Sequence, residues 1–173
     1  MIPSLSIEAW REFAPWADSS QIEQDLVISR ALIEVYSDET LQKAFAFRGG
    51  TALQKLFFDP PTRYSEDIDL VQMNKEPIGK SIDAIRSLLD PWLGKPSWEL
   101  KKDRATVIYR FKSESLPQKS MRLKIEINTG EHFVILDLKK MKMQVDSPWF
   151  SGKTDILVYE IEELLGTKMR ALY

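Results

Sequence analysis

Apolar side chains return at helical spacing in some stretches of this chain and at every second position in others. Ile22, Leu26, Ile28, Ala31, Leu32 and Val35 follow Ser20 and Glu23, which have capping-box spacing, so residues 21 to 36 are predicted as an amphipathic helix. Ile78, Ile82, Ile85, Leu88, Leu89 and Trp92 mark a second helix that ends before Gly94 and Pro96. Ile161, Leu164, Leu165 and Leu172 form the stripe of a last helix from Glu160 onward, fed by a short strand at Ile156-Leu157-Val158. Period-two alternation predicts strands over Tyr64 to Val71, Ala105 to Phe111 and Met121 to Ile127, with Pro117 in the connection between the last two, and a further strand is expected over His132 to Leu138.

Between the first helix and the first strand, Phe45-Ala46-Phe47 ends at Gly49-Gly50. Thr51 to Phe57 then has good helix formers, with Thr51 placed to cap, and Asp59-Pro60-Pro61 breaks that helix. Strands interleaved with helices predict an α/β (α+β) sandwich on a mixed or mostly antiparallel sheet. There is no internal repeat, low-complexity stretch or linker, so residues 1 to 173 are expected to form one domain.

Composition narrows the chemistry. Cysteine is absent and His132 is the single histidine, which excludes a disulfide scaffold, a Cys- or multi-His-ligated metal and a thiol nucleophile. Any metal must sit on oxygen ligands, as Mg2+ or Mn2+ does. The start of the chain lacks the basic and apolar regions of a secretory signal, and no stretch approaches the roughly 20 apolar residues that span a bilayer, so a cytoplasmic protein with no membrane partner is expected. The net charge of -2 hides an asymmetry: residues 1 to 94 hold 9 Lys/Arg against 15 Asp/Glu, and residues 95 to 143 hold 12 against 6. A polyanion-binding face beside a metal-binding face would produce this pattern, and so would scattered solvated charge.

Four features could carry chemistry. Asp67 and Asp69 fall on one side of the predicted strand while Ile68 and Leu70 point into the core, and paired carboxylates of this kind bridge metal ions around a phosphate. Alone, such a pair more often marks a solvated strand edge. Arg48-Gly49-Gly50-Thr51 allows close backbone approach at a helix start, as phosphate binding requires and as a purely steric turn also would. Arg122, Lys124, Glu126 and Asn128 share the polar face of their strand, where Glu126 could add a third carboxylate and Lys124 a positive charge; the plain alternative is the wet side of an amphipathic strand. Lys168 falls within the apolar stripe of the last helix, where an ammonium needs an anion or a route to water.

Taken together, Phe47-Arg48-Gly49-Gly50-Thr51-Ala52-Leu53-Gln54-Lys55-Leu56-Phe57 and Arg63-Tyr64-Ser65-Glu66-Asp67-Ile68-Asp69-Leu70 resemble the AbiEii-type nucleotidyltransferase toxins of abortive-infection and type IV toxin-antitoxin systems. Leu123-Lys124-Ile125-Glu126-Ile127 is similar to that family's second motif, and Glu162-Glu163-Leu164-Leu165-Gly166-Thr167-Lys168-Met169-Arg170-Ala171-Leu172 to its third. The resemblance runs from about residue 45 to the end and implies a polymerase-beta-like nucleotidyltransferase fold. It implies that Gly49, Gly50 and Thr51, with Arg48 and Ser65, hold NTP phosphates and that Asp67 and Asp69 hold Mg2+. It also implies that Lys124 or Glu126 supports the site, Glu126 as a further metal ligand, while Lys168 contacts nucleotide or acids. The implied reaction transfers a nucleoside monophosphate from NTP to an RNA acceptor such as tRNA, under the control of a separate antitoxin protein.

Two departures stand out. The 16 residues between Gly50 and Asp67 exceed the usual superfamily spacing, and the chain ends at Tyr173 without the C-terminal helical region in which relatives carry a further Arg-Asp motif. Two other classes fit the same residues. A metal-dependent nuclease would use Asp67, Asp69, Glu126 and Lys124 without a triphosphate cradle, and a non-catalytic nucleotide-binding module would dock through its last helix.

Overall fold

A computed structural model describes residues 2–131 and 134–170. Three helices open the chain: α1 (Ser4–Trp10), α2 (Ser19–Ser37) and α3 (Glu39–Ala44). Strand β1 (Phe45–Arg48) runs directly into α4 (Gly49–Leu56), and β2 (Asp67–Gln72) is followed by α5 (Gly79–Leu93). The remainder is β3 (Ser97–Lys101), β4 (Arg104–Lys112), β5 (Ser120–Asn128), β6 (Lys139–Asp146), β7 (Ser151–Val158) and α6 (Ile161–Arg170).

The strands form one seven-stranded sheet in the order β3-β4-β5-β2-β1-β7-β6. It is mixed, as expected: β2 pairs parallel with β5 and β1 parallel with β7, while the other four pairings are antiparallel. β1 lies near the middle, and Phe45, Ala46 and Phe47 are wholly buried. On β2, β4 and β5 the inward set is Ile68 and Leu70, Ala105, Val107 and Tyr109, and Leu123, Ile125 and Ile127, as their alternation predicts. No helix among the described residues is long and apolar enough to cross a membrane.

Several sequence expectations are corrected. The cap of α2 is Asp18, whose side chain accepts from the Ser20 N–H, so Ser20 and Glu23 do not form a capping box. Glu23 is buried instead and accepts from the Glu114 N–H. Nor is α2 amphipathic in the usual sense, because Glu23, Gln24, Asp25 and Ser29 are buried along with its apolar stripe. The helix touches α1, α3 and α5 as well as β5, β6 and β7, which leaves it little wet surface.

The strand expected over His132 to Leu138 is absent from its described part, Val134 to Leu138, while His132 and Phe133 lie outside the described residues. In that stretch the Ile135 and Leu136 N–H groups donate to the Glu163 carboxylate rather than to a neighbouring strand. The strand lies just beyond, as β6, and β7 begins at Ser151 rather than at Ile156. Neither α1, α3 nor β3 was anticipated. The last helix is found, although Leu172 lies outside the described residues and Leu165 is exposed.

Candidate active site

The β1-to-α4 bend sets the geometry. Gly49 has φ +84°, a conformation that disfavours any residue with a Cβ. A Cβ added there would come within 2.1 Å of Asp69 Oδ2, so glycine is required by the neighbouring carboxylate as well as by the backbone. The residue in the cap position of α4, Arg48, gives no side-chain hydrogen bond to the helix start. The first-turn N–H groups thus keep their donors, at the positive end of the helix dipole.

β2 runs antiparallel to β1 with Asp69 opposite Arg48. Asp67 and Asp69 are half-buried on one side of β2, and Ile68 and Leu70 are buried on the other. This is the arrangement their spacing predicted. Asp67 Oδ1 is buried with no hydrogen-bond partner, and Asp67 Oδ2 lies 3.4 Å from Lys124 Nζ. Burial, followed by the charges of Glu126 and Asp67, pushes the Asp69 carboxyl from 3.8 up to about 6, against the opposing pull of Arg48 and Lys124. An orphaned buried carboxylate oxygen beside a carboxyl whose charge is resisted is what a bound cation relieves, so the pair fits a hard divalent metal.

Across the parallel β2–β5 pairing, Lys124 stands beside Asp67 and Glu126 beside Asp69. Lys124 Nζ is 3.2 Å from Glu126 Oε2 and so sits between the two acids. Burial alone would lower its pKa, but the Glu126 hydrogen bond and the Asp67 and Glu126 charges outweigh burial and raise it. Glu126, expected as a third metal ligand, stands beside Asp69 but is already paired. It is held by Lys124 and by Arg104, 3.4 Å away, and no three acidic or histidine side chains among the described residues are grouped to hold one ion.

Thr51 is also corrected. It lies inside α4 rather than capping it, and its hydroxyl is fully buried, donating to the Asp67 carbonyl and lying 2.8 Å from Ser65 Oγ. Its side chain therefore pins the start of β2 to the helix and is not available to a ligand. Ser65 and Lys168 flank the second glycine: a Cβ on Gly50 would lie 3.1 Å from Ser65 Oγ and 3.4 Å from Lys168 Nζ. Lys168 makes no ion pair among the described residues, so the inward ammonium singled out in the sequence stands beside the open start of α4 with its charge uncompensated. Arg48 lies 3.7 Å from Glu131.

Three cavities meet at Asp69. One of about 580 Å3 lies between α4, the 62–66 segment and α6, with Gly50, Ser65, Asp67 and Lys168 in its wall. A second of about 240 Å3 lies between Arg48, Gly49 and α6. A third of about 410 Å3 is bordered by Lys101, Lys102 and Arg104 of the β3–β4 hairpin, a basic rim that shows in the sequence only as a short charge run.

The sequence model of the family described as "Nucleotidyl transferase AbiEii toxin, Type IV TA system" matches residues 30–173. Among solved structures, the chain is similar to MenT4, a nucleotidyltransferase toxin of Mycobacterium tuberculosis H37Rv, with a TM-score of 0.65 at 14% identity. That similarity covers 98% of this chain and 58% of the other, so this chain spans little more than half the length of the structure it matches. No curated protein sequence matches it.

Proposed function

The chain belongs to the AbiEii family of nucleotidyltransferase toxins, and on that premise we propose that residues 1 to 173 form a metal-dependent nucleotidyltransferase domain that transfers a nucleoside monophosphate from an NTP to an RNA acceptor such as tRNA. The observation that carries this reading is the close approach of Asp69 to Gly49, where an added Cβ would lie 2.1 Å from Oδ2, together with a cavity of about 580 Å3 that Gly50, Asp67 and Asp69 line in common.

Asp67 and Asp69 would hold Mg2+ or Mn2+. A divalent cation on these carboxylates supplies charge against the triphosphate and lowers the pKa of the acceptor hydroxyl. The chain's own groups do the positioning. Gly49 and Gly50 let the phosphates approach the uncapped N–H groups of α4, and Lys168 and Ser65 flank that approach from the other side. Thr51 contributes its backbone and the fixed register of β2, while Lys124 spaces Asp67 from Glu126. The acceptor hydroxyl gives its proton to water, its oxygen bonds to the α-phosphorus, and the bond to the leaving pyrophosphate breaks. Lys101, Lys102 and Arg104 border a neighbouring cavity that shares Asp69 with the one lined by Lys168, and this basic rim would hold the backbone of a polyanionic acceptor beside the acids. A separate antitoxin protein would restrain the enzyme, in keeping with the family's description.

The uncapped helix start and the uncompensated Lys168 favour NTP over a nuclease mechanism, which needs no triphosphate cradle. The test incubates the protein with each labelled NTP, Mg2+ or Mn2+, and total tRNA. Metal-dependent labelling of RNA that falls at least about a hundredfold in Asp67→Asn is expected. Labelling unaffected by that substitution, or RNA shortening without NTP, would refute the reading.

A further inference from the structure

The cavity of about 580 Å3 has two chemically different ends. One is charged and polar, formed by Gly50, Ser65, Asp67, Asp69 and Lys168. Leu53, Gln54, Phe58 and Tyr64 form the other, with Tyr64 held by an edge contact to Trp16 at 5.7 Å, and Arg63 and Glu66 on either side of the Tyr64–Ser65 pair also line the cavity. A nucleotide has the same division, with phosphate at one end and a flat apolar base with polar edges at the other. Gln54 lies four residues on from Gly50, about 6 Å along α4.

The Gln54 amide has only one possible orientation. Its Nε2 donates to Asp25 Oδ2 at 2.7 Å, and the same carboxylate receives the Trp10 and Trp16 indole N–H groups and the Lys55 ammonium. Indole nitrogens and an ammonium can only donate, so Asp25 accepts from all sides and could not face an amide oxygen. Gln54 Oε1 must therefore point away from Asp25. It is buried and has no partner, and the residue is 4% exposed. A buried amide oxygen without a donor is costly, and a bound ligand presenting an N–H would relieve it.

We propose that Gln54 Oε1 reads the base edge of the incoming nucleotide and selects bases that carry an exocyclic amino group over uracil. This rests on the charged end of the cavity being the triphosphate site. An amino group offers two N–H bonds to a lone acceptor. Uracil offers one N–H flanked by two carbonyls, so the approach of an amide oxygen sets acceptor against acceptor.

The test measures affinity for ATP against purine riboside triphosphate, and for CTP against its analogue lacking the 4-amino group, each with Mg2+. UTP and inorganic tripolyphosphate are included. The wild-type protein is expected to bind each parent at least about tenfold more tightly than its deaminated analogue, with UTP among the weak ligands. In Gln54→Leu, which preserves volume without the oxygen, the ratio is expected to fall toward one. Equal affinities for parents and analogues in the wild-type protein, with tripolyphosphate still bound, would overturn the base-reading assignment alone. Failure to bind tripolyphosphate at all would overturn the phosphate-end reading and this inference with it. Because the analogue comparison uses the unaltered chain, the result does not depend on how well Gln54→Leu folds.

Discussion

Replacing Gly49 by alanine separates backbone cost from site geometry. At φ +84° an alanine pays about 1–2 kcal/mol for a left-handed conformation. Its Cβ would also begin 2.1 Å from Asp69 Oδ2, whereas ordinary contacts need more than 3 Å, so the carboxylate must retreat by about 1 Å. For a chain of 173 residues the backbone term corresponds to a fall in Tm of roughly 2–8 °C. The displacement should matter more than the lost stability, since about 1 Å of misplacement at a reacting centre costs on the order of a hundredfold in rate. Gly94 is the internal control, because it has φ +81° and nothing within 4 Å of an added Cβ. Gly94→Ala should lower Tm by a similar amount and leave label transfer near wild type. The two substitutions are compared by thermal unfolding and by transfer of labelled NMP to RNA. Gly49→Ala that keeps wild-type transfer, or that loses no more than Gly94→Ala, would show that the bend does not press on Asp69 and would remove the geometric basis of the site.

Three further outcomes follow from the same contacts. The Asp69 carboxyl, raised from 3.8 to about 6, contributes stability that is fully present below about 3.8 and is lost as pH rises through about 6 in the metal-free protein. A metal that binds only the ionised form should offset the loss. The gain in Tm on adding Mg2+ is thus expected to grow between pH 5 and pH 8, and a constant or shrinking gain would contradict the cause assigned to the shift. Thr51→Val leaves the Asp67 carbonyl and Ser65 hydroxyl without their shared partner and should cost about 1–3 kcal/mol in urea unfolding, with Thr51→Ser recovering much of it. Asp25→Ala strips the acceptor from two indoles, an amide and a buried ammonium, and a loss of about 3–5 kcal/mol is expected. A loss below about 1 kcal/mol would mean that the carboxylate does not organise that cluster.

What could be read from the sequence follows the physics of each element. The β4 and β5 strands alternate because one face is buried and the other wet, and β2 alternates as far as Leu70 before Val71 and Gln72 are buried as well, so the two aspartates fell on the side that alternation assigned them. The Lys168 position was legible because a charge inside an apolar stripe breaks the helical pattern. β6 carries the same signal, with Met141, Met143 and Val145 alternating with Lys140, Lys142 and Gln144. β3 carried a short one too, with Trp98 and Leu100 alternating with Ser97, Glu99 and Lys101 although all five are exposed, whereas the first half of β7 carried almost none, since Ser151 to Asp155 has no apolar side chain. Pairwise contacts across the fold were beyond reach. Nothing in the spacing of Thr51 says that its hydroxyl turns inward to Asp67, and nothing near Glu126 says that Lys124 and Arg104 hold it. The forced orientation of Gln54 depends on Asp25, 29 positions earlier.

That long-range tie sets the smallest piece of this chain that can stand alone. The family signature begins at residue 30, yet the carboxylate gripping Gln54 and Lys55 of α4 precedes it, and two of its other ligands are tryptophans 10 and 16. Trimming the chain to its recognisable span would leave an ammonium and an amide buried behind α4 with nothing to answer them. The opening segment thus serves as a buttress for chemistry it never touches.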